Sequence, residues 1–272
     1  MKHALDNLKI IDLTRVLGGP YATQILADHG ADVIKVEAHI GDEVRGWGPP
    51  FSNGMASYFI NVNRNKRSIA IDLLSDKGKE ILIKLLEDAD VLIENFKTGT
   101  MEKWGVDPAS LEKTNAKLIY ARISGYGQNG PYAKKAGFAS VCEAFGGFRY
   151  VNGFPGEKPV RPNLSIGDTL AGIHAAMGVL LALIQREKDG KGQIVDVAIF
   201  EAIFNLLEAV IPEYSGSGLI RQPSGSTITG IAPTNTYICQ DGKYIVIGAN
   251  TDSMFKRLAE AMGKPEIGLD QR

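Results

Sequence analysis

The chain has 272 residues, of which 44% are apolar, enough for one large or two smaller domains around a sizeable core. Its 30 Lys and Arg against 31 Asp and Glu leave a net charge of −1, which excludes a nucleic-acid binder working by bulk electrostatics. Cys142 and Cys239 stand far apart in no metal-ligand spacing, so neither a disulfide framework nor a metal site is expected, and a reducing, cytoplasmic compartment is the simpler reading. The amino terminus, Met1 to Asp6, lacks an apolar signal core. No uninterrupted apolar run reaches a membrane span, so neither a membrane nor a nucleic acid is an expected partner.

The first half alternates strand and helix patterns. Lys9–Thr14 reads as a strand, Pro20–His29 as a helix stopped by Gly30, and Asp32–Glu37 as a second strand, giving a strand–helix–strand unit. Ala38–Asn65 is rich in Gly, Pro and Asn and reads as a long irregular loop. A strand over Ser68–Asp72 follows, then an amphipathic helix over Lys77–Asp88 that Ser75 or Asp76 can cap. Two more strands, Val91–Glu94 and Leu118–Ser124, enclose short helical pieces at Thr100–Trp104 and Pro108–Lys113. Such alternation predicts a parallel α/β sheet.

The second half changes character. A short helix at Ser140–Phe145 precedes a Gly/Pro-rich loop over Gly146–Asn163. A long, mostly apolar helix is expected over Thr169–Glu187, a strand over Gly192–Ala198 and a helix over Phe200–Ala209. Tyr214–Gly230 reads as a flexible linker or lid. Gln240-Asp241-Gly242 between Tyr237–Cys239 and Lys243–Gly248 is a hairpin signal, and Thr251–Met262 is an amphipathic helix. A hairpin plus one helix makes a poor core by itself, so more of a second domain is expected beyond Arg272.

Several chemistries fit poorly. Leu17-Gly18-Gly19-Pro20 lacks the Gly-x-Gly-x-x-Gly spacing of a dinucleotide site, which leaves Glu37 a weak ribose partner. Ser124-Gly125-Tyr126-Gly127 is not a nucleophile elbow. His174 reads as a satisfied core residue, His29 as a helix C-terminal cation and Cys142 as packing. Basic residues gather at Arg64-Lys66-Arg67 and at Lys97 with Lys103. Each group reads as a solvated face or, beside a strand of the alternating half, as a ligand-binding edge. Glu94-Asn95-Phe96-Lys97-Thr98-Gly99 offers backbone amides, an aromatic face and a lysine directly after a strand, a set suited to adenine and phosphates.

Asp168, in Ser165-Ile166-Gly167-Asp168-Thr169-Leu170, precedes the long apolar helix. It can be a plain N-cap, or a carboxylate nucleophile screened from water yet reachable past small neighbours.

Taken in order, the segments Ile11 to Pro20, Gly30 to Glu37, Asn65 to Ile69, Glu94-Asn95-Phe96, Gly125-Tyr126-Gly127, Ala136-Gly137-Phe138 and Gly167-Asp168 resemble the class III CoA-transferases. These include formyl-CoA transferase and carnitine CoA-transferase and are related to α-methylacyl-CoA racemase. The likeness runs from about Leu8 to about Pro265. It implies a Rossmann-like parallel-sheet large domain with a smaller α+β second domain, in a homodimer of interlocked rings. Residues 1–200 would be the CoA-binding large domain, 201–230 a linker or lid, and 231–272 the start of the small domain.

The resemblance further implies that Asp168 is catalytic. It implies CoA contacts at Val16, Ile71, Asp72, Leu73, Asn95, Phe96, Lys97, Lys103 and the stretch Ala136, Gly137, Phe138, Ala139. Lys103 falls where many members carry an arginine, and Ala38 where some carry another, a contact that is either lost here or replaced by a residue such as Arg45. Ser224–Gly230 falls where the transferases have a glycine-containing loop over the reacting aspartate. Phe138 stands where the racemase branch has a histidine, and it has no proton to give or take, which argues against racemisation. The expected function is movement of CoA from an acyl-CoA to a carboxylic acid through an aspartyl anhydride and an aspartyl-CoA thioester. CoA would be substrate, with no permanently bound cofactor. The alternative is a non-catalytic or truncated acyl-CoA-binding protein.

Overall fold

The computed structural model describes residues 3–270; the readings made at Met1 and Lys2 and at the chain end Gln271-Arg272 lie outside the described residues. The elements in chain order are β1 (Lys9–Asp12), α1 (Gly18–Asp28), β2 (Asp32–Glu37), a 3-10 turn (Glu43–Gly46), the short pair β3 (Phe51–Ser52) and β4 (Met55–Ala56), α2 (Ser57–Asn63) and β5 (Lys66–Ala70). They continue with α3 (Asp76–Leu86), β6 (Val91–Glu94), α4 (Thr100–Trp104), α5 (Pro108–Glu112), β7 (Ile119–Ser124), α6 (Ala139–Phe145), α7 (Phe148–Val151), α8 (Ile166–Asp189) and β8 (Ile194–Ala198). The last are α9 (Ile199–Asn205), α10 (Val210–Ser217), the strands β9 (Thr234–Ile238) and β10 (Tyr244–Gly248), α11 (Asp252–Ala261) and a 3-10 turn (Pro265–Leu269).

Two compact units emerge, one of Met1–Gly147 with Pro162–Leu206, the other of Phe148–Arg161 with Leu207–Arg272. In the first, six strands among the described residues form a parallel sheet in the order β5-β2-β1-β6-β7-β8. Side chains alternate across a strand, so the sheet buries two faces. Ile10, Val33, Val91, Ile93, Ile119, Ala121 and Ile123 meet Leu26 of α1 and Ala171, Ala175 and Val179 of α8. Ile11, Leu13, Val36, Leu92 and Tyr120 meet Leu82 and Leu86 of α3, Met101 of α4 and Leu111 of α5 on the other side. Burying a leucine such as Leu82 or Leu86 in this layer stabilises the fold by about 1.5–3 kcal/mol. The strand β1 pairs with β2 on one side and β6 on the other. The order of strands therefore reverses there, and the crevice outside their carboxyl ends is the expected ligand position of such a sheet.

Several sequence expectations change. The stretch Ala38–Asn65 is structured, holding the 3-10 turn, the β3–β4 pair and α2. The fifth strand lies at Lys66–Ala70 rather than Ser68–Asp72, and the helix expected over Phe200–Ala209 is Ile199–Asn205. Ser75 is the cap of α3, its hydroxyl accepting the Gly78 N–H at 3.0 Å. Helix α8 begins at Ile166 with Ser165 as N-cap, which places Asp168 inside the first turn rather than at the cap. By length and mean hydropathy (1.6) α8 could cross a membrane, where the sequence reading found no such span. Here its small residues pack on the sheet. His174 is half-buried on α8 instead of belonging to the core, and its Nδ1 lies 2.8 Å from the Leu170 carbonyl.

In the second unit, β9 and β10 pair antiparallel, with Tyr244 opposite Ile238. Gly242 closes the hairpin at φ +78°, a conformation that the Asp-Gly pair supplies. Part of the expected linker is helical, as α10, and residues 148–161 group with this unit. Arg221 joins Glu208 and Glu213 beside α10. Within Ser224–Gly230, Ser224 and Thr227 donate to each other's carbonyls at 2.6 and 2.7 Å, and the Gly225 N–H donates to the Gly153 carbonyl at 2.8 Å.

Candidate active site

Asp168 is half-buried in the first turn of α8, where orphan backbone N–H groups and the helix dipole favour an anion. Helix α1 begins beside it. A methyl group added at Gly18 would stand 3.5 Å from Asp168 Oδ1 and 3.2 Å from its carbonyl oxygen. Gly172, one turn further along α8, holds this approach. A methyl there would come within 2.6 Å of the Gly18 carbonyl oxygen. On another side, α6 lays Ala139 and Glu143 against Gly167, and the buried Glu143 carboxylate accepts the Gly167 N–H at 3.2 Å. Helix α6 reaches this place because Gly125 and Gly137 cross backbone to backbone, each leaving room for the other.

The charge of Asp168 is felt by its neighbours. The Tyr58 hydroxyl of α2 is pushed up to about 12 by burial, then by the negative charges of Asp168 and Asp42. The Cys142 thiol is pushed up to about 11 by burial, then by Asp168 and Glu143. Cys142 is therefore a packed thiol rather than a thiolate nucleophile, as the sequence reading expected.

The loop after β1 is held by a buried ionic network. Asp12 accepts from the Thr14 N–H at 2.8 Å, the Thr23 hydroxyl at 2.6 Å and Lys66 Nζ at 3.1 Å. Lys35 Nζ donates to the Thr14 carbonyl at 2.7 Å and pairs with Asp42 at 3.0 Å. Against the cost of burial, Lys66 and Lys35 hold the Asp12 carboxyl down at about 2. The Val16 N–H donates to Asp42 Oδ2 at 3.3 Å, and Val16 sits at φ +68°. A β-branched residue in that region is strained and is held there by its surroundings. A second buried group supports the loop after β6. Arg122 pairs with Glu94 at 2.8 Å and Glu102 at 2.7 Å, while Glu94 also accepts the Phe96 N–H at 2.7 Å.

The expected CoA contacts are distributed over loops at the carboxyl ends of the strands. Val16 follows β1, Ile71 to Leu73 follow β5, and Asn95 to Lys97 follow β6. Ile71 is buried and Asp72 exposed, its carboxylate accepting the Leu74 N–H. The Asn95 side chain is spent within the protein, receiving the Arg15 N–H at 2.9 Å and donating to the Arg15 carbonyl at 2.8 Å. Phe96 packs edge-on against Trp104 at 5.1 Å. Lys97 and Lys103 are exposed. Ala136 is exposed, Gly137 and Ala139 are packed, and Phe138 is 77% exposed at the start of α6.

Other basic residues are committed elsewhere. Arg64 pairs with Asp28 and Arg67 with Asp32 on an exposed face, as a solvated face would have it, whereas the Lys66 side chain is buried and pairs with Asp12. Arg45, the residue that could replace an arginine at position 38, is held by both Glu37 oxygens and stacks on Phe59. A hollow beside β8, lined by His174, Met177, Asp196, Glu201 and Asn205, does not include Asp168. No group of three potential metal ligands stands together among the described residues. Sequence reading missed Gly18, Tyr58 and Glu143, which surround Asp168 only through tertiary packing.

Comparison with known proteins gives this geometry a family. The model of CoA-transferase family III matches residues 5–272. The chain belongs to CoA-transferase family III. It is 46% identical over 269 residues to the succinyl-CoA–D-citramalate CoA-transferase of Chloroflexus aurantiacus, covering 98% of this chain and 67% of that protein. It is 42% identical to the succinyl-CoA–L-malate CoA-transferase alpha subunit of the same organism, over 97% of this chain and 62% of that one. The succinate–glutarate CoA-transferase of Agrobacterium fabrum is 37% identical over the whole of this chain and 69% of its own. The chain thus spans about two-thirds of the length of these relatives. Among solved structures, a CAIB/BAIF family protein from Brucella suis superposes with a TM-score of 0.90 at 39% identity, covering 100% of this chain and 73% of that chain. The family III fold is therefore that of the first unit's six-stranded parallel sheet.

Proposed function

We propose that this protein moves CoA from a thioester donor, succinyl-CoA or a close relative, to a small carboxylic acid, with Asp168 as the nucleophile. One observation carries the reading. In a family III chain, Asp168 stands in the first turn of α8, where α1, α6 and Tyr58 of α2 converge beside the carboxyl ends of the sheet. The relatives' names supply the donor and the class of acceptor.

In this mechanism a carboxylate oxygen of Asp168 attacks the thioester carbonyl, the C–S bond breaks, and CoA thiolate leaves a mixed anhydride. The thiolate attacks the Asp168 carbonyl and releases the donor acid, forming an aspartyl-CoA thioester. The acceptor carboxylate attacks that thioester and expels the thiolate. The thiolate then attacks the acceptor's acyl carbon and frees Asp168. Each intermediate is open to hydrolysis, so water must be kept out, and in this reading backbone N–H groups at the starts of α8 and α1, other than that of Gly167, which Glu143 holds, stabilise developing oxyanions. The expected residues Val16, Ile71 to Leu73, Asn95 to Lys97, Lys103 and Ala136 to Ala139 serve the nucleotide in this reading. Asn95 acts through its backbone, because its amide already holds Arg15. A cytoplasmic homodimer remains part of the proposal, and light scattering tests its assembly.

Asp168→Ala is expected to abolish transfer and leave CoA affinity within about tenfold. Quenching the wild-type protein with hydroxylamine in the presence of succinyl-CoA is expected to label Asp168, read by peptide mass spectrometry. Turnover by the Ala variant refutes the assignment. CoA binding with neither exchange nor label favours a non-catalytic binding protein.

A further inference from the structure

The loop after β1 is unusually well anchored for a segment with one exposed cation. The Thr14 N–H is bound by Asp12 and its carbonyl by Lys35. The Arg15 N–H and carbonyl are both bound by the Asn95 amide, and the Val16 N–H by Asp42. Side chains from β1, β2, the turn after β2 and the loop after β6 thus fix the main chain of three successive residues, one of them in a strained conformation. The Arg15 side chain takes no part in this. It is exposed and has no hydrogen bond or ion pair among the described residues.

Its sister residues behave differently. Arg45 is paired with Glu37, Arg64 with Asp28, Arg67 with Asp32, Arg122 with Glu94 and Arg186 with Asp90. Among the described residues of the first unit, Arg15 alone of the arginines has an uncommitted guanidinium. It also stands at the reversal of strand order, between the loops after β1 and β6. A fixed backbone lowers the ordering cost when such a side chain meets a ligand. The planar guanidinium fork suits a phosphate or a carboxylate.

Resting on the CoA-transfer reading, we propose that Arg15 binds an oxyanion of the acyl-CoA substrate, either a phosphate group of the nucleotide or the free carboxylate of a dicarboxylic acyl group. Titration calorimetry of wild-type protein and Arg15→Gln with CoA, dephospho-CoA, acetyl-CoA and succinyl-CoA tests this and separates the sources. The variant is expected to bind at least succinyl-CoA about tenfold or more weakly, with an unchanged melting temperature without ligand. Arg15→Lys should recover part of the loss. Weakening of all four ligands identifies the pyrophosphate, and sparing of dephospho-CoA alone identifies the 3′-phosphate. Weakening of succinyl-CoA alone identifies the carboxylate. Equal affinities for every ligand overturn the assignment of Arg15 and leave the CoA reading standing. A lowered melting temperature of the ligand-free variant also overturns it, because the side chain would then serve the fold. Wild-type protein that binds none of the four overturns the CoA reading, and the Arg15 proposal with it.

Discussion

Gly172→Ala probes the fit on which Asp168 depends. The added methyl would lie 2.6 Å from the Gly18 carbonyl oxygen and 3.1 Å from Cδ1 of Tyr21. The oxygen belongs to a helix backbone and cannot swing aside as a side-chain tip can. Relief to an ordinary contact of roughly 3.4 Å requires α8 and α1 to separate by about 0.8 Å, and overpacking of this kind costs about 1–3 kcal/mol. Alanine's better helix propensity returns about 1 kcal/mol, leaving a net loss of up to about 2 kcal/mol. At roughly 2–4 °C per kcal/mol for a domain of this size, melting should fall by up to about 8 °C. Asp168 is one turn away on the same helix and on the same face, so it moves with the shift. A displacement near 1 Å can slow catalysis by about a hundredfold. The assay pairs thermal melting by circular dichroism with the CoA-transfer rate, using Gly46→Ala as control, since a methyl there meets nothing within 4 Å. A Gly172→Ala protein that melts and turns over like wild type would show that the close approach of α1 and α8 does not position Asp168.

Other outcomes follow from the supports around the site. Asn95→Ala removes both hydrogen bonds to Arg15 and should lower stability by about 1–3 kcal/mol in urea unfolding, while raising the Kd for acyl-CoA. Lys35→Met keeps the side-chain bulk but removes the ammonium that pairs with buried Asp42 at 3.0 Å. A loss of about 3–5 kcal/mol is expected from chemical denaturation, and wild-type stability would disprove the pairing. The Glu37 carboxyl, despite burial, is held at about 2 by Arg45, Ser68 and the Asp42 N–H, and Asp12 is held similarly low by its two lysines. The unfolded chain therefore binds more protons between roughly pH 4.5 and pH 2, so stability rises with pH across that window and is lost as pH falls through about 2. Urea midpoints measured from pH 2 to 6 should trace this slope, with a shallower one for Glu37→Gln.

The sheet was legible because its strands are short apolar runs bounded by turn residues. Asp32–Glu37 and Val91–Glu94 fall on the residues the alternation predicts, as does the helix Thr100–Trp104. Helix α2 was not legible. It spans only Ser57–Asn63, carries no side-chain cap and lies in an Asn- and Gly-rich neighbourhood. Its place is set by tertiary contacts such as Arg45 stacked on Phe59. The buried Asp12–Lys66 and Lys35–Asp42 pairs were equally hidden, since a charge in a local pattern reads as a solvated position. Asp168 stood out for its setting between small residues and an apolar helix. The spacing Ser165-x-x-Asp168 could also have shown that serine takes the cap position and the aspartate the first turn. Tyr58, Glu143 and Gly18 lie far from Asp168 in the chain, and only the packing of α2, α6 and α1 brings them near.

Thioesters acylate exposed amines, and an acylated lysine loses its charge. Lys35 and Lys66 are sunk to 1% and 2% side-chain exposure, and each ammonium is already engaged by a carboxylate and a carbonyl. Under the proposed function, the cations that hold the loop in shape are thus walled off from the thioester. Acylation under that reading is expected on exposed lysines such as Lys97 and Lys103, outside that framework.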